Sequence, residues 1–376
     1  MLMTKRLEVL IFIILITVVS CIDNTDKRAA DVIFDADRDA DIFYENIEKI
    51  VLKRFVLDST VVFGNEPEVL YDGDIFVADK NGSGRIYRFD SSGTFLNTIG
   101  EKGRGAKEYL NISNIQVLGD SVMVYSAYPP TVRFYLRDGS YLSEIKADIN
   151  AQQLVIQNGS LLAYSGYGMG DPHRFFWLDK KGEVEKELLR SDAQVISFTE
   201  NSNVFSASGN TMISRESYCD TLYRFYDTKR YEPYLIFDFG KYNIPADFFK
   251  FKDAYKAAEL FLSGEYAIIR KYFENSEIKI AEVLINRKSE PEFFYGFSIC
   301  KNGSDSKWEW VKLGDLNTGF LSNNLKCLYG KRVIFLIEPS KTADIPKGLR
   351  SLIVNGELLD DISENSNYIL AEFYLK

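Results

Sequence analysis

Residues Ile75–Tyr109, IFVADKNGSGRIYRFDSSGTFLNTIGEKGRGAKEY, decide the fold. Three short runs, Ile75–Asp79, Arg85–Asp90 and Thr94–Ile99, alternate apolar and polar residues between clusters of Gly, Asn, Asp and Ser. Alternation with a period of two, bounded by such clusters, marks antiparallel strands joined by tight turns. A Gly-rich, charged loop, Gly100–Tyr109, then carries the chain onward.

The closing hairpin of that stretch recurs. Arg85-Ile-Tyr-Arg-Phe-Asp90 with Ser91-Ser-Gly93 is followed by Thr131-Val-Arg-Phe-Tyr-Leu136 with Arg137-Asp-Gly139. Arg174-Phe-Phe-Trp-Leu178 with Asp179-Lys-Lys-Gly182 comes next, and then Leu222-Tyr-Arg-Phe-Tyr226 with Asp227-Thr-Lys229. From Gly93 to Gly139 is 46 residues and from Gly139 to Gly182 is 43. This spacing is close to the roughly 40–45 residues of a four-stranded propeller blade. Helical solenoids have similar periods, but these units alternate with period two, so the spacing predicts a β-propeller.

The blades then fall at about 57–103, 112–146, 151–190, 194–240 and Ala267–Val311. A sixth uses Leu325–Leu328, Val333–Glu338 and Tyr368–Leu375, with Ile47–Val56 available to close the ring. Two insertions remain. Ile244–Ser263 reads as a helix, with Pro245 and Asp247 at its start, apolar Phe248, Phe251, Ala254, Ala258 and Phe261 at helical spacing, and Gly264 at its end. The second is Ser340–Asn367. The expected fold is all-β: a six-bladed β-propeller over residues 41–376 with a helical insertion after blade four.

The N-terminus reads as an address. Lys5 and Arg6 precede an apolar run, Val9–Val19, which leads into Val18-Val19-Ser20-Cys21. A cationic start, a short apolar stretch and a small residue before the cut define a secretory signal. Val18–Cys21 resembles a bacterial lipobox. That resemblance makes residues 1–20 a signal peptide, Cys21 the lipid-attachment site and residues 21–40 a polar tether, with several acyl chains giving stable attachment to a membrane. Asp35-Ala-Asp37-Arg-Asp39-Ala-Asp41 has the look of a calcium loop, but Ala40 and Asn46 stand where such a loop needs Gly and Glu. It reads as a solvated acidic linker.

Composition narrows the function. Hydrophobic residues at 46% and aromatics at 14% suffice for a packed core. The net charge of −9 gives no basic footprint for nucleic acid; removing Lys5, Arg6 and Glu8 with the signal takes away +1 and leaves −10. The single histidine, His173, excludes a His-rich metal centre. Cys21, Cys219, Cys300 and Cys327 form no CxxC pair. One disulfide among the last three and buried thiols both remain open. No metal or cofactor is expected.

Further motifs carry a family likeness. The loop Gly103-Arg-Gly-Ala-Lys-Glu108-Tyr109 stands where six-bladed β-propeller lipoproteins of Bacteroidota, with NHL-like blades, carry Gly-x-Gly-Pro-Gly-Glu-Tyr. Asp220-Thr-Leu-Tyr223, Asp238-Phe-Gly-Lys241 with Ile244-Pro245, and the terminal Asn365–Lys376 are similar to that family's fourth blade and last strand. This chain lacks the Pro-Gly pair and has Tyr368 in place of a usual Pro. The resemblance implies an outer-membrane or periplasmic lipoprotein; it supplies no catalytic residues.

In such a fold the loops between second and third strands share a face with the links between blades. That face receives Gly100–Tyr109, Tyr125–Pro130, Tyr164–His173 and Arg215–Asp220. Candidate ligand-binding residues are therefore Arg104, Glu108, Tyr109, Tyr128, Tyr167, His173, Arg215 and Tyr218. Tyr offers apolar area plus a hydroxyl, and Arg a rigid fork for carboxylates. The leading expectation is an envelope propeller that binds a glycan, a peptide or a partner envelope protein through this face. The alternative is a polysaccharide lyase or glycoside hydrolase, for which no residue pattern fixes a nucleophile or base.

Overall fold

The structure, a computed structural model, describes residues 29–37, 45–57, 61–166, 172–190, 203–216, 218–226, 229–245, 248, 254–287, 292–299, 307–312, 321, 324–360, 362 and 366–376. Two strands precede the first blade, β1 (Val32–Ile33) and β2 (Ile47–Arg54). Blade one holds β3 (Glu68–Asp72), β4 (Asp74–Ala78), β5 (Ile86–Phe89) and β6 (Phe95–Thr98). Blade two holds β7 (Asn114–Leu118), β8 (Ser121–Ala127), β9 (Pro130–Leu136) and β10 (Tyr141–Lys146). Blade three holds β11 (Gln153–Gln157), β12 (Ser160–Tyr164), β13 (His173–Leu178) and β14 (Val184–Arg190). Blade four holds β15 (Phe205–Ser208), β16 (Thr211–Ser214), β17 (Thr221–Phe225) and β18 (Tyr231–Asp238). Blade five holds β19 (Tyr266–Glu274), β20 (Ile278–Asn286), β21 (Glu292–Ile299) and β22 (Glu309–Lys312). Blade six is built from β23 (Leu325–Tyr329), β24 (Arg332–Ile337) and β25 (Ile369–Leu375), with β2 as its outermost strand.

The protein is thus an all-β, six-bladed propeller. Within each blade the strands pair antiparallel in sequence order, and the first strands approach one another around the axis, β23 against β3 and β19 among them. The second strands explain why the sequence is so apolar. Each lies between two neighbouring blades, so both of its faces must shed water. In β4, Phe76 and Ala78 enter the core shared with blade two, while Ile75 and Val77 enter the core shared with blade six. Among the described residues, one apolar cluster fills each of the six interfaces between blades. Outermost strands such as β10 and β14 are largely exposed and correspondingly polar.

The repeated hairpin glycines have two physical reasons. Gly93, Gly139 and Gly182 take φ of 95°, 91° and 91°, a region that side chains avoid. A Cβ at any of them would also collide with a backbone carbonyl of the preceding blade's outer strand: Arg54, Thr98 and Lys146. Asp90 fixes the first of these turns by accepting from the Ser92 and Thr94 amides at 2.8 and 3.0 Å. Hydrogen bonds from Ser92 and Thr94 hold its carboxyl below the usual carboxylate range.

Closure uses both ends of the described chain. β2 pairs antiparallel with β25 from Ile47↔Leu375 to Arg54↔Ile369. The outer edge of β2 is then covered by residues 352–355 of the second insertion: the Ile50 amide donates to the Leu352 carbonyl, the Val354 amide to the Ile50 carbonyl, and Asn355 bonds both the amide and carbonyl of Leu52. A sheet edge left open would invite pairing with another chain.

Two expectations need adjusting. Within the tether expected over residues 21–40, Asp31–Phe34 are docked: β1 adds a fifth, parallel strand to β18. The cause is apolar. Val32 is 1% exposed, and the Phe34 ring sits edge-on to Phe239, Tyr242, Phe294 and Trp310. Where a helix was expected over Ile244–Ser263, the described residues hold helix α1 over Ala254–Ser263, preceded by a 3-10 turn at Gly240–Tyr242. Residues 1–28, with the expected signal and Cys21, lie outside the described residues, as does Cys300. Cys219 is a buried thiol directed at the Thr221 carbonyl, and Cys327 is buried in the core between blades six and one.

The closing blade should be sensitive to volume. Phe373 packs tilted at 4.8 Å against Phe335 and is 1% exposed. Phe373→Ala should cost about 3–5 kcal/mol in urea unfolding. An equal substitution at exposed Leu142 (48%) should stay within about 0.5 kcal/mol.

Candidate functional site

The candidate residues do different jobs. Arg104 is exposed on a loop pinned by Glu108, whose carboxylate accepts from the Gly105 amide at 2.7 Å. Tyr128 is 65% exposed, and its carbonyl is held by Asn111 Nδ2 at 2.7 Å. Both therefore present free surface from a fixed backbone. Tyr109 is instead fully buried, its ring edge-on to Tyr135 at 6.1 Å in the core between blades one and two. His173 pairs through Nδ1 with Glu187 Oε2 at 3.1 Å across to β14. Tyr218 packs on Phe248 and on Phe261 of α1, at 5.0 and 5.2 Å. Tyr167 lies outside the described residues.

Arg215, 2% exposed, points to the interior and donates from Nη1 to the Ile269 carbonyl of β19 at 3.2 Å. It leads to a group that the loop-based reading missed. The axis of the ring encloses a cavity of about 310 Å³ lined by all six first strands, with Leu70, Gln116, Val155, Ser206, Phe273 and Leu328 among the walls. First strands have one free backbone edge each, and amide side chains bridge several of them. Asn114 bonds both the amide and carbonyl of Leu154 (2.9 and 2.7 Å), and Gln116 does the same to Ile156 (2.7 and 2.9 Å). Gln153 in turn accepts from the Val204 amide at 2.8 Å.

Around the same axis, on blades one, five and six, charge replaces amides. Glu68 accepts from Asn203 Nδ2 at 2.8 Å and pairs with Lys80 at 2.6 Å. Lys271 of β19 faces Glu282 at 3.6 Å; Glu282 is 0% exposed and accepts from the Tyr295 hydroxyl at 2.6 Å. Lys326 of β23 is 8% exposed and lies in the field of Lys271, Glu66, Glu282 and Glu68. Among the described residues, no three His, Cys, Asp or Glu side chains gather as a metal ion would require.

Fold and axis together define a six-bladed β-propeller whose central channel carries both amides and ions. The chain belongs to the DUF4934 family, a domain of unknown function, whose model matches residues 58–374. This agrees with the likeness to the Bacteroidota propellers. Among solved structures, a Bacteroides fragilis protein described as exported is similar, with a TM-score of 0.74 and 19% identity, over 92% of this chain and 99% of that one. A Bacteroides vulgatus member of the duf4221 family has a TM-score of 0.55 and 11% identity, over 88% and 97%. At these identities the likeness is one of fold. No curated protein matches the chain.

Burial governs the chemistry of these axial charges. It pushes the Lys326 ammonium down to about 7, Lys271 adding to the shift and Glu66, Glu282 and Glu68 opposing it. Lys271 is lowered by the same desolvation, with Glu282 countering. Between pH 7 and the ordinary lysine value of 10.5, unfolded Lys326 holds a proton that the folded protein releases. Stability therefore rises with pH across that window, and the full cost is present below it. In buffers free of oxyanions, Lys326→Met should raise stability at pH 6 by about 3–5 kcal/mol. The gain should fade as melts are repeated toward pH 10; a gain independent of pH would contradict the assignment.

Proposed function

We propose that this protein is a lipid-anchored propeller of the cell envelope that binds a glycan, a peptide or a partner envelope protein on its loop-bearing face. Acyl chains on Cys21 hold it to the outer membrane. The observation that carries the binding reading is Tyr128, a large aromatic left 65% exposed on a loop whose backbone is bonded in place. Arg104 stands likewise on the Glu108-pinned loop. Ordering such side chains beforehand lowers the entropy cost of recognition.

The segment Ile244–Ser263 acts as a helical insertion after blade four and extends this face. Its α1 exposes Tyr255 (87%) and Leu262 (66%) while Phe261 docks on Tyr218. The opposite end of the wheel carries short turns at Gly73, Gly119, Gly159, Gly209 and Gly330, all with φ between 55° and 80°, which offer little side-chain surface. Tyr109, His173 and Arg215 are committed to different neighbours, which favours binding over the elimination chemistry that a gathered Tyr/His/Arg set could support.

Two measurements test this reading. Cys21→Ala should move the protein from the membrane fraction to the soluble periplasmic fraction. In thermal-shift titrations with oligosaccharides and peptides, the Arg104→Ala/Tyr128→Ala double variant should lose at least about tenfold in affinity with its own melting temperature unchanged. Equal affinity in the double variant would remove this face as the site, and release of shortened product would make the protein an enzyme.

A further inference from the structure

We infer that Lys326 and Lys271 form an oxyanion-binding site at the loop-bearing end of the central channel, suited to a carboxylate, sulfate or phosphate group. The inference rests on the binding reading above and assigns the ligand's chemistry, but it places the anchor on the axis rather than on the loop tips.

Lys326 is 92% buried, from an exposure of 8%. Among the described residues its ammonium has neither a hydrogen bond nor a carboxylate within 4 Å. The acids whose charge reaches it are engaged elsewhere. Glu282 serves Lys271 at 3.6 Å and the Tyr295 hydroxyl at 2.6 Å, and Glu68 serves Lys80 at 2.6 Å and Asn203 at 2.8 Å. Glu66 is exposed at the rim. A second buried cation, Lys271, adds its repulsion. Burying an ammonium without a partner is costly, and apolar side chains of like volume could fill the same space. An anion seated against Lys326 removes both the desolvation and the like-charge cost.

The site also has room beside it. Asn203, which bonds Glu68, lines the axial cavity of about 310 Å³, and so do Cys327 and Leu328, the residues that follow Lys326 on β23. A group held there by its charge would leave the rest of the molecule to extend along the channel. Lys326, charged when an anion is bound and partly neutral when the site is empty, couples binding to proton uptake. Lys271 and Glu282 from blade five and Glu66 and Glu68 from blade one are the charges that set this balance. Affinity should fall as pH rises above about 7, approaching tenfold per unit.

Isothermal titration of the full chain in detergent tests the site with sodium glucuronate, inorganic sulfate, inorganic phosphate and neutral glucose. Expected is binding of at least one anion, none of glucose, tighter binding at pH 6 than at pH 8.5, a loss of at least about tenfold in Lys326→Met, and retention in Lys326→Arg. Tighter binding of glucuronate than of sulfate or phosphate assigns a sugar acid, and the reverse order assigns a sulfate or phosphate group. Unchanged affinity in Lys326→Met, or glucose binding as well as the anions, overturns the proposal. The double variant Arg104→Ala/Tyr128→Ala separates the two readings. Anion affinity that survives it while Lys326→Met abolishes binding supports the axial site even if the loop face fails.

Discussion

The wheel depends on one seam, the pairing of β2 with β25 that joins the beginning of the chain to its end within a single sheet. Six sheets arrayed around an axis have no terminal edge only when the last blade contains the first strand. Without that strand, β25 would lose its outer partner and the cluster built on Ile47, Ile50 and Leu52 would lose one wall. Residues 352–355, bonded along β2 through Leu352, Val354 and Asn355, hold the seam from outside. Each interface between blades inherits its spacing from this closure, since every blade is packed on both sides.

Closure also creates the axis, and with it a problem of unpaired backbone. The first strands converge with one edge each turned inward. The chain answers with amides where the need is for neutral donors and acceptors, at Asn114, Gln116 and Gln153. On blades one, five and six it places ions. Amides leave the local charge near zero, whereas two buried lysines create a field. That contrast around one channel makes its sides chemically different.

Much of this was legible in the sequence. The Asp-and-Gly hairpins repeated because each must pack against the neighbouring blade, so their spacing reported the blade period and even the strand limits of Ile75–Ile99. The closing strand was legible too, since Ile47–Val56 alternates and no blade otherwise claimed it. The site was less so. Tyr109 and Tyr128 are the same residue type in equivalent-looking loops, yet one is 0% and the other 65% exposed. Which of them faces inward is set by packing between blades, which no local pattern records. Lys271 and Lys326 sit in runs, YAIIRKYFE and LKCLY, that read as ordinary strands. The available signal was a cation interrupting a first strand of two successive blades. It becomes meaningful only once first strands are known to line an axis.

The docking of Asp31–Phe34 on blade four determines how a membrane-tethered wheel could stand. Were Cys21 acylated as proposed, only the nine residues Ile22–Ala30 would separate it from the docked strand, at most about 30 Å of chain. It leaves from the rim, where Trp310 clasps the Ile33 carbonyl at 3.0 Å, and not from the hub. Blades four and five would then ride nearest the lipid, and the hub would be carried within a fixed short range of the bilayer.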